Sequence, residues 1–300
     1  MVTPLRVSAD HARRFHRHAT LLDTPAADVG AALAHHGYAQ IDPINVCGRM
    51  HDLILRTRVS GYREGDLVRH LHGDDRPHPP EARVAFEHFV PYPGVLAAFP
   101  NDAWPWLQRA MAARMARTDA WAGRLTAEEN TLATHILDAI ARRGALGPED
   151  FADARRVDPG WGTATLVKHT MQKLFFHGRL LIARRVAGQR RVYDLPARVL
   201  PAAVLSAPVP SAEEALRWEA LLRVRQRRLV VLKRAELPRV ADLVRPVQVH
   251  DGPTLYALRE DDARWDATAS APASAASPVL LAPLDPLVYD RKVTAALWGF

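Results

Sequence analysis

The chain has 300 residues, of which 48% are hydrophobic and 24% charged, and its formal net charge is +7. This length predicts two or three domains, the composition is that of a folded protein, and no apolar run approaches the ~20 residues of a membrane span. The positive charge favours a polyanionic partner, nucleic acid first, although the strong excess of arginine over lysine is also what codon bias produces.

Other ligands and locations are excluded by particular residues. The single cysteine, Cys47, rules out an intrachain disulfide and a cysteine-based metal site. His70, His72 and His78 lie in or beside a loop and lack a regular ligand spacing with acids, so we predict no metal site. The first residues lack the apolar core of a signal peptide, and we expect a cytoplasmic protein.

The N-terminal part begins with two predicted helices, 9–20 and 25–37, and Gly37 closes the second. A third helix is predicted over 43–58, because Pro43 suits a first helical turn. If the preceding residues are extended, Gln40 and Asp42 point to the same side, beside a helix N-terminus whose dipole favours negative charge. Such a pair could hold a water and face a developing cation. The local pattern alone favours simple helix capping by Asp42.

The predicted 43–58 helix has an apolar line and an opposite polar side. The apolar line contains Val46, Met50 and Leu53. The polar side contains Asn45, Arg49, Asp52 and Arg56, whose arginines are either solvated or contact phosphates.

Residues 61–72 read as a short helix, 73–81 as a loop and 102–121 as another helix. Between them lies an aromatic and proline-rich stretch, 86–100. This stretch contains Glu87 and His88. We predict that their polar groups are hydrogen-bonded within the local packing rather than placed beside a functional site.

The clearest local signal is a winged helix-turn-helix. A helix at 126–144 opens with a Thr126–Glu129 capping box, ALGPEDF opens a short second helix, and a third spans 163–178. Residues 179–196 alternate and turn around Ala187-Gly188, as a hairpin does. The third helix should bury Val167, Met171 and Leu174 and leave other faces more open. Its open candidates for DNA contact are Thr165, Lys168, His169 and Gln172, and those of the hairpin are Arg184, Arg185, Arg190 and Arg191. The alternative is a hairpin that packs between domains.

The C-terminal part repeats this pattern in shortened form, with helices over 211–244 and a hairpin over 246–260. Residues 266–278 read as a linker, and 279–300 should fold back and bury apolar side chains. We therefore predict a mainly α protein with short β-hairpins (α+β), built as tandem winged helix-turn-helix domains at 1–122, 123–203 and 204–300.

Three stretches resemble one protein family. They are QIDPINVCGRMHDLILRTRV at 40–59, the winged helix at 161–201 with its VYDLP ending, and the 279–300 box with Asp285, Asp290 and Arg291 at its polar positions. All are similar to the crosslink-repair DNA glycosylases, the YcaQ/AlkZ-like group of winged-helix proteins. Two departures stand out: Pro91 replaces a histidine common in that family, and members usually continue past the final Gly-Phe with a further β-rich segment.

The resemblance implies a catalytic pair, Gln40 and Asp42, in the acidic version of the family motif. It implies a monofunctional hydrolase, without metal or cofactor, acting on N7-alkylated guanine and alkyl interstrand crosslinks in double-stranded DNA. We expect a monomer that associates with the nucleoid. The DNA-contact candidates are Asn45, Arg49, His51, Arg56, Lys168, His169, Gln172, Arg184, Arg185, Arg190 and Arg191.

Two other function classes remain open at this point. A winged-helix transcription regulator would bind one duplex sequence and cleave nothing. A structural partner protein would use the aromatic region at 86–106 as an interface.

Overall fold

A computed structural model describes residues 3–42, 44–45, 47–74, 76–92, 94–158, 163–186, 189–250, 252–269 and 278–299. The fold is mainly helical with small sheets and hairpins, as predicted for an α+β protein. The chain forms two compact units, which we call the first unit (Met1–Leu67 with Ala212–Phe300) and the second unit (Val68–Ser211). The three winged-helix domains and their boundaries remain a prediction.

The elements are numbered in chain order. The helices are α1 Ala9–Ala19, α2 Val29–His36, α3 Met50–Arg56, α4 Asp66–His72, α5 Trp104–Ala116, α6 Ala127–Arg143, α7 Leu166–Phe176, α8 Ala202–Leu205, α9 Ala212–Arg227, α10 Leu237–Val240, α11 Asp262–Ala269 and α12 Arg291–Trp298. The strands are β1 Leu5–Val7, β2 Ala39–Gln40, β3 Ala85–Phe89, β4 Leu96–Pro100, β5 Arg156–Val157, β6 Ala164–Thr165, β7 Leu181–Val186, β8 Arg190–Asp194, β9 Val244–Val249 and β10 Leu255–Leu258. None of the described helices is long and apolar enough to cross a bilayer.

The core of the first unit joins both ends of the chain. Strand β9 pairs antiparallel with β10, as the predicted hairpin requires, and parallel with β1, which the sequence did not reveal. Under this sheet Phe15 of α1 stacks on Trp265 of α11 at 3.6 Å between ring centroids. Val293 and Leu297 of α12 belong to the same buried cluster, so the prediction that 279–300 folds back is confirmed.

Several predicted limits in the first unit are wrong. Helix α2 begins at Val29 rather than Pro25, because Asp28 caps it by accepting from Ala31 N–H at 2.8 Å. Helix α11 occupies the first four residues of the predicted linker, and 270–277 lie outside the described residues. Leu280, expected to be buried, is 94% exposed.

One glycine in this unit is required. Gly37 ends α2 in the left-handed region, at φ 79°, and a Cβ there would lie 2.6 Å from Cδ1 of Leu222 on α9.

The second unit contains the predicted winged-helix elements. The Thr126–Glu129 capping box opens α6, and Val167, Met171 and Leu174 of α7 are buried as predicted. Strands β7 and β8 pair antiparallel, and the predicted turn at 187–188 lies outside the described residues. The predicted second helix is wrong: only a single 3₁₀ turn, Pro148–Asp150, forms there, because Asp150 closes it by accepting from Gly147 N–H at 2.7 Å.

The stretch at 86–100 forms an antiparallel pair of strands, β3 and β4, which the sequence did not predict. All five residues of β3 are buried, so the polar/apolar alternation of a half-exposed strand is absent from them. Helix α5 follows and ends at Ala116, five residues before the predicted end.

Candidate active site

The Gln40–Asp42 stretch does not open a helix. Gln40 ends β2, and the following helix, α3, starts only at Met50. Oδ1 of Asp42 instead accepts the backbone N–H of Ile44 at 2.9 Å. An Asp side chain that bonds the backbone two residues ahead stabilises a local turn in competition with the helix. The prediction of a helix over 43–58 with Asp42 at its N-terminus is therefore wrong, and its Pro43 and Val46 lie outside the described residues.

The turn holds the Asp42 carboxylate by one oxygen only. Asp42 is half-buried, and its Oδ2 has no hydrogen-bond partner among the residues described. Ile44, whose N–H makes the bond, is 65% exposed. A carboxylate with one fixed and one open oxygen can accept a proton or face a cation.

Gln40 forms part of the wall of a small cavity in the first unit, with a volume of about 20 Å³. The wall surface is almost entirely apolar, although several polar side chains also contribute to it. They are His36, Tyr38, His51, Arg58 and Gln226. A cavity of this size has room for one water, but a wall that is almost entirely apolar does not favour one.

Helix α3 does not present the polar face that its sequence predicts. Asp52 is 3% exposed and accepts from the Tyr62 hydroxyl at 2.7 Å and from Gly65 N–H at 3.0 Å. Burial, and then the bond to Asp52, raises the pKa of Tyr62. His51 is 2% exposed, so the expectation that it contacts DNA is wrong. Asp52 and His51 thus belong to the interior, since later parts of the chain cover that side of the helix.

The other residues expected on this face are more accessible. Asn45 and Arg56 are exposed, and Arg49 is half-buried and pairs with Glu64 at 3.1 Å. Surface pairs of this kind contribute little to stability, so Arg49 can exchange Glu64 for another anion.

A buried ion pair in the first unit connects the segment just after α3 with the C-terminal box. Arg58 donates through Nη2 to Oδ1 of Asp285 at 2.5 Å, and both side chains are at most 1% exposed. Leu287 N–H also bonds Oδ1 at 3.0 Å. Burial raises the pKa of Asp285 against the opposing effect of Arg58. Both residues belong to the family-like stretches, but nothing in the sequence predicts that they pair.

The candidates on α7 divide by exposure. Lys168 is exposed, and Thr165 and Gln172 are half-buried, as expected for an open face. His169 is 5% exposed and lies 3.2 Å from Oε1 of Glu129 on α6. The expected open position of His169 is wrong, because α6 covers that side of α7.

The four arginines of the hairpin also differ in their exposure. Arg184 is exposed, and Arg190 is exposed beside Glu149 at 3.4 Å. Arg191 is half-buried, 5.9 Å from the ring of Phe175. Arg185 donates through Nε to Oε1 of Glu87 at 2.7 Å, and its side chain is 3% exposed. The expectation that Arg185 lies open to phosphate is wrong, since a buried carboxylate already occupies its guanidinium.

The prediction that the side chains of Glu87 and His88 are hydrogen-bonded within the packed interior is confirmed. Glu87 bonds Arg185 and also Nε2 of His72 at 2.7 Å, and Nε2 of His88 bonds Phe175 O at 2.9 Å. Burial alone would raise the pKa of Glu87, but Arg185 and His72 hold it well below its usual range. Within the described part of the chain, no group of three or more His, Cys, Asp or Glu side chains is placed to hold a metal ion.

Comparison with known proteins adds two findings. A family model described as DNA glycosylase AlkZ-like matches residues 33–300, which include Gln40, Asp42 and the C-terminal box. The solved structure of Streptomyces sahachiroi DNA glycosylase AlkZ is similar to this one, with a TM-score of 0.58, 14% sequence identity, and coverage of 88% of this chain and 73% of that chain. At that identity the structural likeness shows the fold alone, while the family model spans most of the sequence.

Proposed function

The chain belongs to the AlkZ-like DNA glycosylase family, and from that premise we propose that it is a monofunctional hydrolase that excises N7-alkylated guanine from duplex DNA and unhooks alkyl interstrand crosslinks. The observation that supports this most directly is the Asp42 carboxylate. One of its oxygens is held by Ile44 N–H and the other has no partner among the described residues, two positions from Gln40 in the matched stretch.

The proposed reaction requires little activation of the leaving group by the protein. Alkylation at N7 makes guanine cationic, so the base leaves readily and needs no strong general acid. As the bond from C1′ to N9 breaks, its electron pair neutralises the base, and water forms a new bond to C1′. Asp42 stabilises the sugar cation by charge and takes the proton of that water, as carboxylates do in glycoside hydrolysis.

Gln40 orients the attacking water, because a carboxamide offers both donors and an acceptor. A covalent route through an amine has less support. The first lysine of the sequence is Lys168, so the segment that carries the motif supplies no amine for a Schiff base.

DNA affinity comes from cationic side chains on both units. Lys168, Arg184 and Arg190 are exposed in the second unit, and Arg56 is exposed in the first. Contacts from such groups to phosphates position a protein on duplex DNA without reading its sequence. Further candidates for DNA contact are Asn45, which is exposed, and three half-buried residues, Arg49, Gln172 and Arg191.

The test is incubation with a duplex that carries a single N7-methylguanine, followed by heat or alkali to cleave at abasic sites. We expect one cleavage product at the lesion, and none with the unmodified duplex. A second substrate with a nitrogen-mustard crosslink tests unhooking. Failure to excise from any alkylated duplex, together with a footprint on one unmodified sequence, would identify a transcription regulator instead.

A further inference from the structure

The arginine at the end of α9 carries a charge without a counter-ion. Arg227 is the last residue of this helix and is half-buried. Its neighbours Arg223 and Arg228 pair with Glu236 at 2.6 Å and with Asp261 at 3.1 Å. Among the described residues, by contrast, no carboxylate forms an ion pair with Arg227. A half-buried cation of this kind is available to an anion from outside the chain.

An aromatic ring holds this guanidinium in place. Its Cζ lies 4.1 Å from the centroid of the Tyr289 ring in the C-terminal box. Nε of Arg227 is enclosed without a hydrogen-bond partner, whereas Nη1 and Nη2 are without a described partner and are not enclosed. A guanidinium fixed on a ring loses little freedom on binding, and its terminal N–H groups match two oxygens of a phosphate.

The charge of Arg227 acts on the segment that carries the motif. Tyr38 precedes β2, which ends at Gln40, and both side chains line the same small cavity. Burial raises the pKa of Tyr38 to about 12, and the charge of Arg227 opposes this rise. An anion bound at Arg227 therefore lies beside the strand that carries Gln40.

The one carboxylate whose charge acts on Arg227 is used elsewhere. It belongs to Asp290, whose Oδ1 accepts the N–H groups of Lys292 and Val293 at 3.0 and 3.4 Å and so caps α12. The positive end of the helix dipole compensates part of its charge, which leaves Arg227 free for an external phosphate.

We propose that Arg227, held on Tyr289, binds one backbone phosphate of the lesion-bearing DNA strand and so positions the neighbouring sugar in front of Gln40 and Asp42. The inference rests on the proposed function. A phosphate contact fixes the register of a protein on DNA without reading its sequence, and this register decides whether C1′ meets the attacking water. Arg227 is thus a positioning residue.

The phosphate contact can be measured without any excision. Arg227→Ala should weaken binding to all duplexes and reduce the slope of log affinity against log salt by about 1, measured by fluorescence anisotropy. The melting temperature should stay near that of the wild type, because the lost cation has no counter-ion. An unchanged slope would overturn the proposal.

The matched control is Arg225→Ala. Arg225 is exposed on the same helix, about 200° around its axis from Arg227, and its loss should leave the slope unchanged. Equal changes for both variants would reduce the effect to net charge and overturn the proposal. Tyr289→Leu should weaken binding and Tyr289→Phe should not. If Arg227→Ala does not fold, this pair decides, and equal affinities would refute the stacked site.

Methylphosphonate substitution tests the positioning role. Duplexes with one N7-methylguanine carry an uncharged methylphosphonate at single positions around the lesion. One position should slow single-turnover excision by the wild type about tenfold, with little further effect on Arg227→Ala. Effects that multiply at every position would overturn the positioning role.

Inorganic phosphate distinguishes DNA from a free anion as the ligand. If it raises the melting temperature of the wild type but not of Arg227→Ala, and the salt slopes of the two for DNA are equal, the site takes a free anion and the proposal falls. A wild type that excises nothing, although Arg227 still sets the salt slope, would refute the proposed function and the positioning role and confirm the phosphate contact alone.

Discussion

Arg185 on β7 donates to Glu87 on β3, and the side chains of both residues are at most 3% exposed. This pair attaches the hairpin to the interior of the second unit. It explains why one of four similar hairpin arginines is withdrawn from the surface, since a buried carboxylate lies within reach of Arg185.

Glu87→Gln should therefore be strongly destabilising. The substitution leaves the Arg185 charge buried without a counter-ion, which typically costs about 3–5 kcal/mol. Urea denaturation measures the free energy of unfolding. The control is Glu149→Gln, which removes the exposed partner of Arg190 and should change it by no more than about 0.5 kcal/mol. Equal effects of the two substitutions would contradict the assignment.

Stability should fall as the pH is lowered from about 6.5 towards 4. Burial lowers the pKa of His16 to about 4 and of His88 to about 3. The unfolded chain, with ordinary histidine pKa values near 6.5, therefore binds more protons in this window, and stability is lost as pH falls. Glu87, with its lowered pKa, adds a further loss below about 4.5. Melting temperatures from pH 7.5 to 4 measure this, and His16→Gln should flatten the dependence.

DNA binding should depend on the exposed basic residues of α7 and of the β7–β8 hairpin. Replacing Lys168, Arg184 and Arg190 with alanine should weaken binding to all sequences and flatten the dependence of affinity on salt, because fewer counterions are released. Arg185→Ala should instead lower stability. Fluorescence anisotropy over a salt series measures the slope. An unchanged slope for the triple variant would assign the hairpin to packing.

Asp42→Asn should separate catalysis from turn formation. Asn can still accept the Ile44 N–H, so the melting temperature should hardly change. A general base typically contributes on the order of 10²–10⁴ in rate, and excision should fall by at least the lower figure. Gln40→Ala should also slow excision while duplex affinity stays near that of the wild type. The control is Asp28→Asn, a change of the α2 cap that should leave excision intact. Wild-type rates for Asp42→Asn would refute the catalytic role.

Local features of this protein follow from its sequence. The Thr126–Glu129 capping box, the α2 stop at Gly37 and the two hairpins at 179–196 and 246–260 were all predicted. Each depends on residues a few positions apart, so their chemistry is visible in the order of the residues. The family followed from three short stretches in the same way.

The tertiary structure decided which charged residues are internal. Asp52, His169 and Arg185 were all placed on open faces by helical or strand periodicity, and all are covered. Periodicity tells which residues share a face, but not whether another segment packs on it. A charge is buried only where a partner from elsewhere in the chain satisfies it, and Asp285 reaches Arg58 from 227 positions away. That separation is why neither residue alone predicted the pair.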